Sequence, residues 1–182
     1  MILTVTGRIG SGKDTFLKYL DLPKDCKLIN ADLLGHEILA QIEVVWQLKQ
    51  VFPQAIIAEQ VDRSILRKLA FGKRIKELNS IIHPLMIAKI KELLAKNTVI
   101  NAALLGELRL SALSDKVIYI DTSYENITQR LAKKIHPRLL RKIINNQHSV
   151  LWYRRHADIV IKNNSLPSDM VREIKEKCRN LF

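Results

Sequence analysis

Cysteine, glycine and aromatic residues are all scarce in this chain of 182 residues, which has 2 cysteines, 6 glycines and 5% aromatic side chains. Cys26 and Cys178 stand far apart, which excludes a disulfide framework and a cysteine metal cluster. The 5 histidines have no His/Cys ligand spacing. No apolar run approaches the roughly 20 residues needed to cross a bilayer. The start Met1-Ile2-Leu3-Thr4-Val5 lacks the charged segment and cleavage site of a secretory signal. Repeats, low-complexity tracts and linker-like stretches are missing as well. These absences predict a single reduced, cytoplasmic unit over residues 1–182 with no membrane partner. At 47% hydrophobic content the chain is able to bury one good core.

Acidic residues are also in deficit, 18 against 30 basic ones, for a net charge of +12. The deficit is local. Between Gln129 and Ala157 there are Arg130, Lys133, Lys134, Arg138, Arg141, Lys142, Arg154 and Arg155, three histidines and no carboxylate. A local basic excess suggests a polyanionic partner such as nucleotide phosphates, nucleic acid or an anionic surface; a merely solvated basic helix face is the alternative.

With glycine so rare, its one concentration is informative: Gly7-Arg8-Ile9-Gly10-Ser11-Gly12-Lys13-Asp14-Thr15. It matches the phosphate-loop pattern G-x-x-x-x-G-K-[ST] except at Asp14, where Ser or Thr is usual. The apolar, β-branched run Ile2–Thr6 before it reads as a buried strand, and Phe16-Leu17-Lys18-Tyr19-Leu20 after it suits a helix. In such a loop the glycines let backbone N–H groups wrap an anion, and Lys13 reaches the β- and γ-phosphates. The usual hydroxyl ligates Mg²⁺; a carboxylate is also a hard oxygen ligand, so Asp14 reads as a metal-side variant, and Asp14→Ser is expected to restore the usual ligand.

Five β-like runs, 2–6, 27–31, 98–102, 116–121 and 158–163, alternate with helical patterns. This alternation predicts an α/β fold with a five-stranded parallel sheet flanked by helices and the first strand central. A helix is expected within 37–52. A long helical stretch over 64–96, broken where Pro84 restricts His83, is expected to form a side domain of about 60–96. A helix from Tyr124 to Lys134 is expected to open on a capping box from Thr122 to Glu125, and the last helix is expected over Asp169–Asn180. Residues 130–147 form a basic region interrupted at Ile135-His136-Pro137-Arg138, as in a mobile flap.

Ligands of parallel sheets gather at the carboxyl ends of the strands, and several candidates fall there. Asp32 follows the second β-like run. It is a candidate for orienting Mg²⁺ or accepting a proton from an attacking hydroxyl, or else an N-cap for a helix starting at Leu33. Asn101 ends the third run, where phosphate-loop proteins often place an acid, so the metal load falls on Asp14 and Asp32. Glu107 follows further on and is either a first-turn helix residue or an acceptor contact. Asp62, beside Arg63, has the place of a helix N-cap. Trp152 and Tyr153, beside Arg154 and Arg155, are able to stack on a base or to pack in the core.

Together these segments resemble the dephospho-CoA kinase family, the phosphate-loop kinases that finish coenzyme A synthesis. The matching stretches are VTGRIGSGKDT at 5–15, INADLLGHEIL at 29–39, VDRSILRKLAF at 61–71, LNSIIHPLM at 78–86, ALLGE at 103–107, TQRLAKK at 128–134 and HADIVIKNN at 156–164. The resemblance implies ATP- and Mg²⁺-dependent phosphorylation of the ribose 3′-hydroxyl of dephospho-CoA, on a kinase fold with a helical acceptor-binding side domain and a short lid. It implies that Gly10, Ser11, Gly12, Lys13, Asp14 and Thr15 hold the ATP phosphates, with Asn163 near the adenine. Asp32 would serve the acceptor hydroxyl, while His36, Asp62, Arg63 and Glu107 would bind the acceptor. Arg138 or Arg141 would be the lid arginine. The chain departs from the family pattern at Asp14 for Ser, Asn101 for an acid, Ala103 for Pro and Gly106 for an aromatic. The rival readings are a deoxynucleoside monophosphate kinase and a non-catalytic phosphate-loop protein that binds nucleotide or nucleic acid. Small-molecule substrates are expected over nucleic acid, and nothing in the sequence speaks to oligomeric state.

Overall fold

The β-branched run at the start becomes strand β1 (Ile2–Thr6), the middle strand of a parallel sheet. The structure, a computed structural model, describes residues 1–179 and 181–182. The chain divides into two units, one of residues 1–29 and 94–182 and one of residues 30–93.

In the first unit β1 lies between β5 (Thr98–Asn101) and β6 (Lys116–Asp121); β2 (Lys27–Asn30) flanks β5 and β7 (Ile159–Lys162) flanks β6. The register sets Val5 beside Asn101 and Ile118, and Asp121 beside Lys162. The carboxyl ends of β1, β5, β6 and β7 therefore share one edge. Leu3, Val5, Val99, Ile100, Ile118, Ile120 and Ile161 are buried, as expected for a parallel sheet covered on both faces.

Helix α1 (Lys13–Tyr19) with the Leu20 that ends it, and helix α9 (Pro167–Lys177), add Phe16, Leu20, Met170 and Ile174 to that core. The last helix thus starts two residues before the expected Asp169, with Pro at its first position; its expected end, Asn180, lies outside the described residues. Helix α8 (Val150–Arg155) stacks Tyr153 on Tyr119 of β6, ring centroids 5.0 Å apart. Tyr153 is therefore a core residue, and its hydroxyl donates to the Ala103 carbonyl at 3.0 Å. Helices α6 (Tyr124–Leu131) and α7 (Pro137–Asn146) bury Ile127, Leu140 and Ile144 together with Ile9, Leu131 and Ile135. Ser123, not Thr122, caps α6 by accepting from Asn126 N–H; Thr122 is buried and bonded elsewhere.

The second unit holds α2 (Ala31–Leu39), α3 (Ile42–Val51), a short hairpin of β3 (Ile56–Ile57) and β4 (Gln60–Val61), α4 (Arg63–Ala70) and α5 (Ile75–Leu93). It takes in α2 and α3 as well as most of the 60–96 segment, because α5 packs on both of them. Two expected breaks move. The 37–52 pattern is interrupted at Ala40 and Gln41, its first residues belonging to α2. The 64–96 stretch breaks at Phe71–Arg74 and runs straight through Pro84. Gly72 turns the chain at φ +86°, and Arg74 donates to the Val51 carbonyl at 2.7 Å with its guanidinium over the Phe52 ring. Ile82, Met86 and Ile90, buried on either side of Pro84, hold α5 together despite the missing N–H.

Side-chain caps fix the starts of α2 and α4 in this unit. Asn30 Oδ1 accepts from the N–H groups of Asp32 and Leu33 at 3.0 and 3.2 Å, so Asn30 is the cap of α2 and Asp32 lies in its first turn. This removes the capping explanation for Asp32. Asp62 does cap α4, accepting from Ser64 and Ile65 N–H, and those bonds hold its carboxyl below the usual range. Asn30→Ala should cost about 1 kcal/mol of stability, read as a lower urea midpoint, whereas Asp32→Asn should shift that midpoint much less. The opposite order would return the capping role to Asp32.

Candidate active site

The loop between β1 and α1 turns on Gly12, at φ +94°, where a Cβ would also collide with the Asn163 amide. Gly12 is the N-cap of α1 and has no side chain to cap it, so the first-turn N–H groups, which have no partner within the helix, are not satisfied by the residue before them. Lys13 extends back over the loop, its Nζ donating to the Gly7 carbonyl at 3.2 Å. Aiming backbone N–H groups inward turns carbonyls outward, and those need partners of their own.

The partners come from the residues just after β6 and β7 and from α6. Ser11 O accepts from Thr122 Oγ1 at 2.9 Å, from Asn163 Nδ2 at 2.8 Å and from Arg130 Nη1 at 3.4 Å. Arg130 also donates to Gly10 O, to Asn163 O and to Asn163 Oδ1. At the loop's apex, Gln147 Oε1 accepts from Ile9 N–H at 3.1 Å, while Arg8 donates to the Thr122 carbonyl. Asn163 is thus a buried brace beneath the loop. The sequence carries no sign that Arg130, Thr122 and Gln147 support the loop; Thr122 reads there as a helix cap. Arg130 was one basic residue among many, and nothing local marks it as the one that points inward.

On the side of β5, Asn101 Nδ2 donates to Asp14 Oδ1 at 2.7 Å. Asn101 Oδ1 is buried with no hydrogen-bond partner among the described residues, as are the hydroxyls of Ser11 and Thr6. A carboxylate and a free amide oxygen are hard oxygen donors, so these residues fit Mg²⁺.

Glu107 is not in a helix; it lies in a turn after β5, which rules out the first-turn reading. One oxygen is 3.8 Å from His148 Nε2 and the other is buried and unpartnered among the described residues. His148 stacks on Trp152, centroids 3.7 Å apart, and His156 also stacks on Trp152. Gly106 leaves room for them: a Cβ there would lie 2.7 Å from His148 and 2.9 Å from Trp152. Asp121, at the end of β6, is buried and paired with Arg154.

Arg138 and Arg141 are exposed on α7, whose N-terminus is capped by His136 Nδ1 accepting from Arg138 N–H. Buried Leu140 and Ile144 anchor that helix, so the basic region is tethered on one face. In the second unit, His36 and Arg63 line one cavity of about 310 Å³ with Leu39, Val45 and Val61; Asp32 and Asp62 are not among its lining residues. Among the described residues no cluster of three or more His, Cys, Asp or Glu side chains is placed to hold a metal, and no helix is long and apolar enough to cross a membrane.

Comparison with known proteins agrees with this geometry. Residues 1–169 match the family model described as dephospho-CoA kinase. The chain is 32% identical over 196 residues to a dephospho-CoA kinase of Borreliella burgdorferi, covering 100% of this chain and 95% of that protein. It is 32% identical over 191 residues to one of Fusobacterium nucleatum, covering 100% and 98%. Among solved structures, a dephospho-CoA kinase from Campylobacter jejuni superposes with a TM-score of 0.70 at 26% identity, covering 99% of this chain and 96% of that one. The five-stranded parallel sheet, the braced phosphate loop and a match along the chain's length lead to one conclusion: the chain belongs to the dephospho-CoA kinase family.

Proposed function

We propose that this protein transfers the terminal phosphoryl group of ATP to the ribose 3′-hydroxyl of dephospho-CoA. The observation that supports this most is the left-handed Gly12 that opens α1 just before Lys13, in a chain of this family. Phosphoryl transfer asks the protein mainly for positioning and electrostatic stabilisation. Gly10 to Thr15 hold the phosphates, and Lys13 neutralises charge that builds on the β- and γ-phosphates. Asn163, by bracing Ser11, serves the ATP side. Asp14 and Asp32 are assigned to the metal side, where they would hold Mg²⁺, whose charge would offset that of the phosphates. Asp32 accepts the proton of the 3′-hydroxyl as it attacks. His36, Asp62, Arg63 and Glu107 are assigned to the acceptor, and Arg138 or Arg141 to the lid over the transferring group. In this reading residues 1–182 act as one kinase, with 60–96 serving the acceptor and 130–147 closing over ATP. Its substrates are small molecules, and its place is the cytoplasm, where Cys26 and Cys178 stay reduced.

The deciding assay offers purified protein ATP with dephospho-CoA or with a panel of deoxynucleoside monophosphates. Phosphorylation of dephospho-CoA alone is expected; turnover of the monophosphates, or of nothing, would overturn the reading. Lys13→Ala should lower turnover by about 10²–10³-fold. Asp32→Asn should leave ATP binding intact and lower transfer by about 10²–10⁴-fold; a loss of only a few-fold would remove the general-base role.

Arg130→Lys tests the brace. A point charge cannot replace a planar fork that reaches Gly10, Ser11 and Asn163 at once. Ser11 O keeps Thr122 and Asn163 as donors, and a hydrogen bond from a charged group contributes about 1.5–3 kcal/mol, so ATP affinity should fall on the order of tenfold with the fold intact by circular dichroism. Unchanged affinity would show that the loop holds its shape without Arg130.

A further inference from the structure

Two of the chain's departures from its family's pattern, at positions 14 and 101, touch each other. Asp14 stands in the first turn of α1 and Asn101 is the last residue of β5, and the Asn101 amide donates to the Asp14 carboxylate at 2.7 Å. The phosphate-loop pattern places a hydroxyl at position 14, and the family resemblance places an acid at position 101. Here the acid is on the loop and the neutral group is on the strand. In either arrangement the contact carries one negative charge and joins one neutral donor to one carboxylate.

We propose that Asp14 and Asn101 are a reciprocal exchange, in which the metal-side carboxylate has moved from the strand end to the phosphate loop and Asn101 supplies a neutral oxygen ligand in its place. The inference rests on the kinase reading only in taking Mg²⁺ as the ion that this site holds. The orientation of the Asn101 amide is fixed by chemistry: turned over, its Oδ1 would face the carboxylate, acceptor against acceptor. With Nδ2 on Asp14, Oδ1 is left buried and unpartnered among the described residues, in a side chain only 5% exposed. An orphaned acceptor in such a place is costly unless a ligand fills it. A carboxylate oxygen and an amide oxygen are both hard donors, and Mg²⁺ is commonly held by one or two protein carboxylates with the remaining positions on water and phosphate.

The exchange reverses the expectation for Asp14→Ser. With Asn101 as its neighbour, that change leaves a hydroxyl and an amide, with no carboxylate on either side. Asn101→Asp does the opposite and sets two carboxylates where one hydrogen bond stood. The double change Asp14→Ser with Asn101→Asp recreates the usual pairing.

The test is a double-mutant cycle with two readouts, neither of which needs the acceptor: ATP affinity by calorimetry with and without Mg²⁺, and the thermal midpoint with and without Mg²⁺. Asp14→Ser should lose on the order of tenfold or more in the Mg²⁺-dependent part of ATP affinity, the scale on which metal-site changes act. Asn101→Asp should unfold at lower temperature without Mg²⁺ and regain its midpoint when Mg²⁺ is added. The double variant should return to within a few-fold of the unaltered protein in Mg²⁺-dependent affinity. Additive losses in the double variant, or an Asp14→Ser protein that binds ATP with its Mg²⁺ dependence unaltered, would overturn the exchange. Failure of the unaltered protein to bind ATP would overturn the kinase reading instead, and the Mg²⁺ dependence of the Asn101→Asp midpoint would still decide the exchange.

Discussion

The Ser11 carbonyl is the point on which the phosphate loop depends. It receives three donors, Thr122 Oγ1, Asn163 Nδ2 and Arg130 Nη1, from the segments after β6, after β7 and within α6. A loop that wraps an anion with its N–H groups must present carbonyls to the protein behind it, and a buried carbonyl without a partner is expensive. The sheet register meets this requirement by bringing the ends of β6 and β7 level with the end of β1. Burial lowers the Arg130 pKa without discharging it, so its donors stay fixed on the loop.

Much of the fold was legible because the hydrophobic pattern and the parallel-sheet rule point the same way. All five strands of the main sheet fall within a residue or so of the β-like runs, and β1 is central. Errors arose where two residues compete for one role. Asn30 rather than Asp32 caps α2, and Ser123 rather than Thr122 caps α6; adjacent polar residues are equivalent until the backbone direction is known. Pro84 was read as a break, but tertiary packing along α5 outweighs the lost backbone bond. The break at Phe71–Arg74 depends on Arg74 reaching Val51 and Phe52, a contact with no local sign. The loop itself was legible from its glycines. Its bracing residues were not, since the partners lie more than a hundred positions away.

The basic stretch from Gln129 to Ala157 resolves into unlike parts. Arg130 and Arg154 are structural partners of the loop carbonyls and of Asp121, whereas Arg138 and Arg141 stay exposed. The aromatic missing at Gly106 also has a spatial counterpart: Trp152 and His148 come from elsewhere in the chain to occupy the space beside it. Composition counts all these residues alike; only the tertiary structure separates a charge that binds the protein from one that faces solvent.

Asn163 lies 152 positions along the chain from the carbonyl it braces. The phosphate loop therefore leaves the ribosome well before the residue that completes it. Until β7 docks beside β6, Ser11 O lacks its Asn163 donor and Arg130 lacks its anchor on that residue. A nascent chain exposes the glycine-rich motif before its rear support exists, and contacts of such long sequence separation form late because their loop-closure cost comes first. The braced loop is in this sense a checkpoint on synthesis, assembled only when nearly the whole sheet is present.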